Sequence, residues 1–286
     1  MDPAIQEGFQ QQVRQTLVRL SRSGELPSIP AVAAAGLRIA RDPTADAHHL
    51  CDVVQTDVGI AARVLRVANS AVYGQRVRAQ SLTQAVAAIG FRTMGDILMA
   101  ASLRSIFDTE NPLAERLWDH ALAVALAAEE LGRTQVGTKM PPGACFLPGL
   151  LHDIGRAVFL LSNPAPLEVV ETLVARGEGD AATLEAEWYG FDHTAASALL
   201  AEEWGVSPAA CDAVRWHHDP EGADLGRPMA EILHVADRLA YQAGLGTSAT
   251  PPSTRATPMV SLSPDEEGRL ALVVKSAFDT QRSLFQ

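Results

Sequence analysis

Apolar residues recur along this chain at steps of three and four, the period that lays a stripe along one side of an α-helix. Ile5, Phe9, Val13, Leu17 and Leu20 predict an amphipathic helix over Ala4 to Ser21, ended by Gly24. Leu26-Pro27-Ser28-Ile29-Pro30 predicts an extended turn, with Ser28 and Pro30 as the cap and entry of a helix from about Ala31 to Ala40. Two more helices are expected over Thr44 to Val54 and Val58 to Asn69. In the second, Ile60, Val64, Leu65 and Val67 form the buried stripe, while Arg63 and Arg66 face away. Ser81 or Thr83 caps the next, which carries Val86, Ala87 and Ile89, and another runs from about Thr93 to Ile106.

Asn111-Pro112 reads as a break. Beyond it, Leu113 to Gly132 predicts a helix carrying Trp118 and His120, and one uninterrupted helix is expected from Phe146 to Leu161. Further helices follow over about Pro166 to Arg176, Ala181 to Tyr189, His193 to Trp204, Pro208 to His218 and Pro228 to Ala243. Thr247 to Pro264 is rich in Thr, Ser and Pro and reads as a linker or ordered loop. Ser263-Pro264-Asp265-Glu266 has the cap, first-turn Pro and acidic residues that start a terminal helix to about Leu284. No stretch shows a convincing strand period, and no internal repeat is visible. The expected fold class is all-α, as an N-terminal helix (1–25), a helical subdomain (26–110) packed on a second (111–245), and a linker with a C-terminal helix (246–286).

The formal net charge of −11 argues against general nucleic-acid binding, which needs a basic face to neutralise phosphates. Cys51, Cys145 and Cys211 are odd in number and far apart, so neither a disulfide framework nor a thiolate zinc site is expected. No secretory leader is visible, and the longest apolar runs, such as Ala121 to Ala128, are too short to insert in a membrane. A cytoplasmic setting is the expectation.

Candidate chemistry centres on Gly149-Leu150-Leu151-His152-Asp153-Ile154-Gly155. It sets an imidazole beside a carboxylate in an apolar run, where a charge is costly without a partner. Neighbours on a helix diverge by only about 100°, so both side chains can reach one centre. The partner is either a divalent metal or simply the other residue of a buried His-Asp pair. His120, His193, His217-His218 and Asp237 lie on predicted helices or at their ends. Taken singly, each has an ordinary structural role, as a core histidine, a charge on a helix dipole or half of a surface ion pair. Asn69, Ser70 and Tyr73 form either a polar surface or turn and cap contacts, and His48-His49 reads as a solvated pair. Trp188, Trp204 and Trp216 are expected in the core.

In chain order, His120, His152-Asp153, His193, His217-His218 and Asp237 resemble the metal-ligand series of HD-superfamily phosphohydrolases, HD-GYP proteins among them. Leu26-Pro27-Ser28-Ile29-Pro30, Val54 to Gly59, Arg63 to Tyr73 and Ser81 to Gly90 are in addition similar to the HDOD domain, an HD-related output domain. The two resemblances together cover about Leu26 to Leu245. They imply an all-helical bacterial signalling module of a kind generally viewed as non-enzymatic because many members have lost part of the metal site. Here no position of the series is empty. The resemblance implies that His120, His152 and Asp237 hold one ion, that Asp153 bridges, and that His193, His217 and His218 hold a second. Imidazole and carboxylate ligands suit iron, manganese, zinc or nickel.

The chain departs from the enzymes in two places. Asp219-Pro220-Glu221-Gly222 follows the His pair with no Gly-Tyr-Pro motif, and Arg156 stands where catalytic HD domains often carry Lys. Arginine grips phosphate bidentately but does not give up its proton at ordinary pH. The expected function is signal-transduction regulation through a signalling protein partner or a small nucleotide-like ligand. The alternative is a metal-dependent phosphohydrolase acting on a nucleotide or cyclic (di)nucleotide, with Asp153 and Arg156 at its reacting centre.

Overall fold

The computed structural model describes residues 31–42, 44–69, 78–107, 110–134, 140–141, 143–247 and 259–284. The helix expected over 4–21, the 26–30 turn, Ser70, Tyr73 and most of the 247–264 segment lie outside them. Among the described residues every regular element is helical, as the apolar periodicity predicts.

The N-terminal part comprises α1 (Ala31–Arg41), α2 (Ala47–Val54), α3 (Val58–Ala68), α4 (Leu82–Ile89) and α5 (Phe91–Leu103), then a 3-10 turn at Arg104–Phe107. Short polar side chains start these helices by accepting otherwise orphaned N–H groups. Asp46 caps α2 in a reciprocal box with His49, Asp57 caps α3 and Ser81 caps α4. Helices α1 and α3 pack on α5. One expectation fails here: Arg63 does not face away, because its Nη1 donates to the Ala101 carbonyl at 2.7 Å. That carbonyl lies in the last turn of α5, where backbone acceptors run out of intrahelical donors.

The C-terminal part is built around α6 (Pro112–Thr134), whose Ala, Leu and Val residues are buried on nearly every side. Around it stand α7 (Phe146–Leu151), α8 (Ile154–Ser162), α13 (Arg227–Gln242) and α14 (Pro264–Gln281). Outside α8 come α9 (Pro164–Ala175), α10 (Ala181–Tyr189) and α11 (His193–Glu203), and α12 (Pro208–Arg215) lies between α11 and α13. One continuous apolar core runs from Leu50 to Phe278 through both parts, and α5 touches α7 across the join. No helix among the described residues is long and apolar enough to cross a membrane.

Two glycines govern how closely the helices approach. A Cβ on Gly149 would lie 2.7 Å from the Ala125 Cα of α6, and one on Gly155 would lie 2.5 Å from the His193 carbonyl of α11. Both contacts are with backbone, so only glycine allows them.

The single helix expected over 146–161 is in fact two. Asp153, at φ −112° and ψ 15°, leaves the helical region and separates α7 from α8. Trp188 is also corrected, being 54% exposed. Its neighbour Tyr189 takes the inward place instead, stacked on Phe159 with centroids 4.1 Å apart and its hydroxyl donating to the Asn163 carbonyl. Trp204 and Trp216 pack half-buried against the core, and His48 and His49 are exposed, as expected.

Candidate metal centre

The seven side chains predicted from the sequence meet in one place, although five separate segments carry them. His120 comes from the middle of α6, His152 and Asp153 from the break between α7 and α8, and His193 from the first position of α11. His217 and His218 follow the end of α12, and Asp237 comes from α13. Two ligand-like groups result, one of His120, His152 and Asp237, the other of Asp153, His193, His217 and His218, with donor atoms within 4.8 Å of one another in each.

Helix ends supply much of the positioning. Helix α12 was expected to run to His218 but stops at Arg215, and the His217 ring turns back so that Nδ1 donates to the Val214 carbonyl at 2.8 Å. His152 does the same at the end of α7, donating to the Gly149 carbonyl at 2.8 Å. Each ring thereby satisfies a last-turn carbonyl that the helix leaves free. Asp153 occupies the cap position of α8 without bonding its backbone, so its carboxylate points elsewhere, into the cluster. Asp192 caps α11 conventionally, accepting from Ala195 N at 2.8 Å, and so fixes where His193 begins.

A carbonyl oxygen can only accept, so the Nδ1 atoms of His152 and His217 must carry hydrogen. Burial holds both imidazoles below their ordinary value, and the positive character of neighbouring histidines adds to it. Both rings are thus neutral, with the Nε2 lone pairs turned inward. These Nε2 atoms lie 3.6 and 3.7 Å from Asp153 Oδ1, and none of the three buried atoms has a hydrogen-bond partner. Two lone pairs and a carboxylate oxygen converge with no proton among them, an arrangement that is costly unless a cation sits there.

The other two inward rings each face a carboxylate that favours the charged form. His120 Nδ1 faces the Leu245 carbonyl at 2.9 Å and its Nε2 faces Asp237 Oδ1 at 3.2 Å. Burial opposes its charge, but the bond to Asp237 outweighs this and raises it. His193 Nδ1 lies 2.5 Å from Glu185 Oε2, and its Nε2 lies 3.2 Å from Asp153 Oδ1 and 2.9 Å from His218 Nε2. Burial again opposes the charge, and Glu185 and Asp153 raise the group to about 9. Asp237 and Asp153 are both held low: burial works against each carboxylate, and the surrounding histidines outweigh it. Each group therefore contains one histidine whose charged form its carboxylate neighbours favour, where an ion would place positive charge. The donor set, tautomers and orphaned acceptors all fit a metal.

Four participants were not predicted: Glu185, Glu171, Thr247 and His234. Glu185 is fully buried, accepts from both Nδ1 and the backbone N–H of His193, and takes the Arg156 Nε hydrogen at 2.9 Å. Arg156 is also held by Glu171 at 3.2 Å and Thr247 Oγ1 at 2.9 Å, so its donors point into protein partners. His234 Nδ1 donates to the carbonyl of His217 at 2.9 Å and steadies the His pair. His234 lies three residues before Asp237, on the same helix face, a spacing that could have flagged it. Nothing local marks Glu185 or Glu171. Asn69 stands apart from all of this: its side chain pairs with both backbone groups of Ala79, the turn role weighed for it.

Comparison with known proteins agrees with this architecture. An uncharacterised protein of Treponema pallidum is 21% identical over 217 residues, 76% of this chain, and the matched region spans 42% of that relative's length. The crystal structure of an HDOD domain protein of unknown function from Geobacter sulfurreducens is 24% identical with a TM-score of 0.70, covering 95% of this chain and 94% of that one. A Marinobacter aquaeolei structure, provisionally named a signal transduction protein, is 23% identical with a TM-score of 0.72, covering 93% of this chain and 61% of that one. These structures share the fold. The HDOD domain model matches residues 26–220, more than half of the sequence, and the chain belongs to the HDOD domain family.

Proposed function

We propose that this chain is a signal-transduction regulator of the HDOD family whose HD pocket holds one or two divalent transition-metal ions. The observation that carries it is the convergence of His152 Nε2, His217 Nε2 and Asp153 Oδ1, all buried and all without a hydrogen-bond partner. His120, His152 and Asp237 would hold one ion, His193, His217 and His218 the other, and Asp153 would lie between. Iron, manganese, zinc and nickel all suit this donor set. The regulatory role is favoured over turnover by Arg156, whose guanidinium is engaged by Glu185, Glu171 and Thr247 rather than presented to a phosphate.

A second function, hydrolysis of a nucleotide or cyclic (di)nucleotide phosphate ester, draws on the rim of the site. His218 is exposed and the Asp153 side chain is 10% exposed, while His120, His152 and Asp237 are closed off. An ion pair bound here would supply an activated hydroxide and a clamp on a phosphoryl oxygen. The protein's part would be to orient the inner rings, exclude water from the closed group and leave the His218 side open to substrate.

Metal analysis of protein purified without chelators tests the shared premise, with His152→Ala as control. We expect about one or two equivalents of transition metal per chain, with at least the ion of the His120, His152 and Asp237 group lost in the variant; less than about a tenth of an equivalent in the wild type sinks the metal reading. Turnover of cyclic dinucleotides, nucleotides and a generic phosphodiester, abolished by Asp153→Asn, would select the hydrolase. Its absence in metal-loaded protein selects the regulator.

A further inference from the structure

Beside the cluster, on the far side of Arg156, lies a groove of about 540 Å³, within the range of small-molecule sites. Its acidic residues are each engaged through one oxygen. Glu168 accepts from Asn111 Nδ2 at 3.3 Å, and Glu171 is paired with Arg156 at 3.2 Å. Its basic side chains are not: among the described residues no hydrogen bond or ion pair engages the guanidinium of the exposed Arg116 or Arg176, beyond the charge that Arg116 exerts on Glu171. In a chain of net charge −11, two unpaired guanidiniums facing one groove are a local source of positive charge, beside the carboxylates of Glu168 and Glu171.

The remaining lining adds directional chemistry. Thr247 Oγ1 accepts from Arg156, which leaves its hydroxyl hydrogen free to donate. Thr172 Oγ1 donates to the Glu168 carbonyl, which leaves its lone pairs free to accept. Leu113 and Ala175 contribute apolar surface. Guanidinium pairs grip phosphate through charge-assisted, forked hydrogen bonds, whereas the carboxylate edges suit the hydroxyls of a sugar.

We propose that this groove binds a phosphorylated small molecule of about mononucleotide size, with Arg116 and Arg176 on its phosphate. The bound phosphate would sit next to Glu171 and Thr247, the partners of Arg156, and Arg156 in turn holds Glu185 against His193. Ligand occupancy and the His193 ring thus share one hydrogen-bonded network. That link rests on the metal proposal; the binding itself does not.

Calorimetric titration of the full chain at physiological salt, with GMP, ribose 5-phosphate, inorganic phosphate and guanosine as probes, tests it. GMP or ribose 5-phosphate should bind saturably while guanosine does not, and Arg116→Gln/Arg176→Gln should weaken binding about tenfold or more with metal content unchanged. GMP alone identifies a nucleotide site; equal binding of both identifies a sugar-phosphate site. The proposal is overturned if no phosphorylated probe binds below millimolar concentration, if guanosine binds as well as GMP, or if the double variant binds normally. Binding lost in His152→Ala but kept in the double variant overturns it too, by placing the phosphate on the metals. GMP binding through Arg116 and Arg176 in protein that purifies with less than about a tenth of an equivalent of metal leaves this site standing while the metal reading falls.

Discussion

Four of the inward imidazoles spend Nδ1 on an oxygen acceptor: Leu245 O for His120, Gly149 O for His152, Glu185 for His193 and Val214 O for His217. An acceptor on one ring nitrogen fixes the tautomer and raises the basicity of the other, the outer-shell support that metal-bound histidines need. Only for His193 is that acceptor a carboxylate, and the same carboxylate anchors Arg156. Gln at this position keeps the shape but brings an N–H toward a donor. Glu185→Gln should therefore weaken metal retention at the His193 group by roughly 10–100-fold. If both groups hold an ion, chelator competition would show one weakened and the one at His120, His152 and Asp237 retained; metal retention unchanged from the wild type would deny Glu185 this role. His152 and Asp153 were legible as chemistry from sequence because a polar pair in an apolar run stands out. Glu185 was not, because a lone glutamate on a short amphipathic helix looks like any solvated residue until the fold buries it.

The break between α7 and α8 explains why glycine brackets the His-Asp pair. Gly149 lets α7 close on α6, the helix of His120, and Gly155 lets α8 close on α11, the helix of His193. Each approach brings a ligand-bearing segment to the centre. Gly155→Ala puts a methyl group against the His193 backbone, and overpacking of this kind costs about 1–3 kcal/mol. A thermal melt should show that loss together with lower metal content; Ala tolerated without change in either would mean that α8 and α11 can separate freely. The period of the apolar residues located most helices within a residue or two. It did not reveal the break at Asp153, because hydrophobic spacing is continuous through 146–161 while the backbone turns aside to aim a carboxylate.

At the scale of the molecule, the two groups draw together α6, α11, α13 and the ends of α7 and α12, so an ion there would tie elements far apart in sequence. Helix α14 adds a second tie: it packs on α6 and α13, Arg282 pairs with Asp119 and Glu115, Arg238 pairs with Glu267, and the final 3-10 turn reaches α3. A ligand that binds only the folded state stabilises it by about 4 kcal/mol at a thousandfold excess over its dissociation constant. Stripping metal with a chelator should therefore lower the melting temperature, and adding metal back should restore it. His152→Ala should respond less to chelator than the wild type; an equal response in the variant would place the stabilising ion elsewhere.

The order of residues alone determined that this chain is helical, where most helices begin and end, and which seven side chains are candidate ligands. Those properties follow from local spacing, capping residues and a motif order that survives along the chain. Tertiary structure alone decided that the seven converge, that three acceptor atoms meet without a proton, and that Arg156 turns to Glu185, Glu171 and Thr247. It also decided that Trp188 faces solvent and Arg63 faces inward. These depend on which helix faces meet and on what burial does to a charge, and residues distant in sequence settle both.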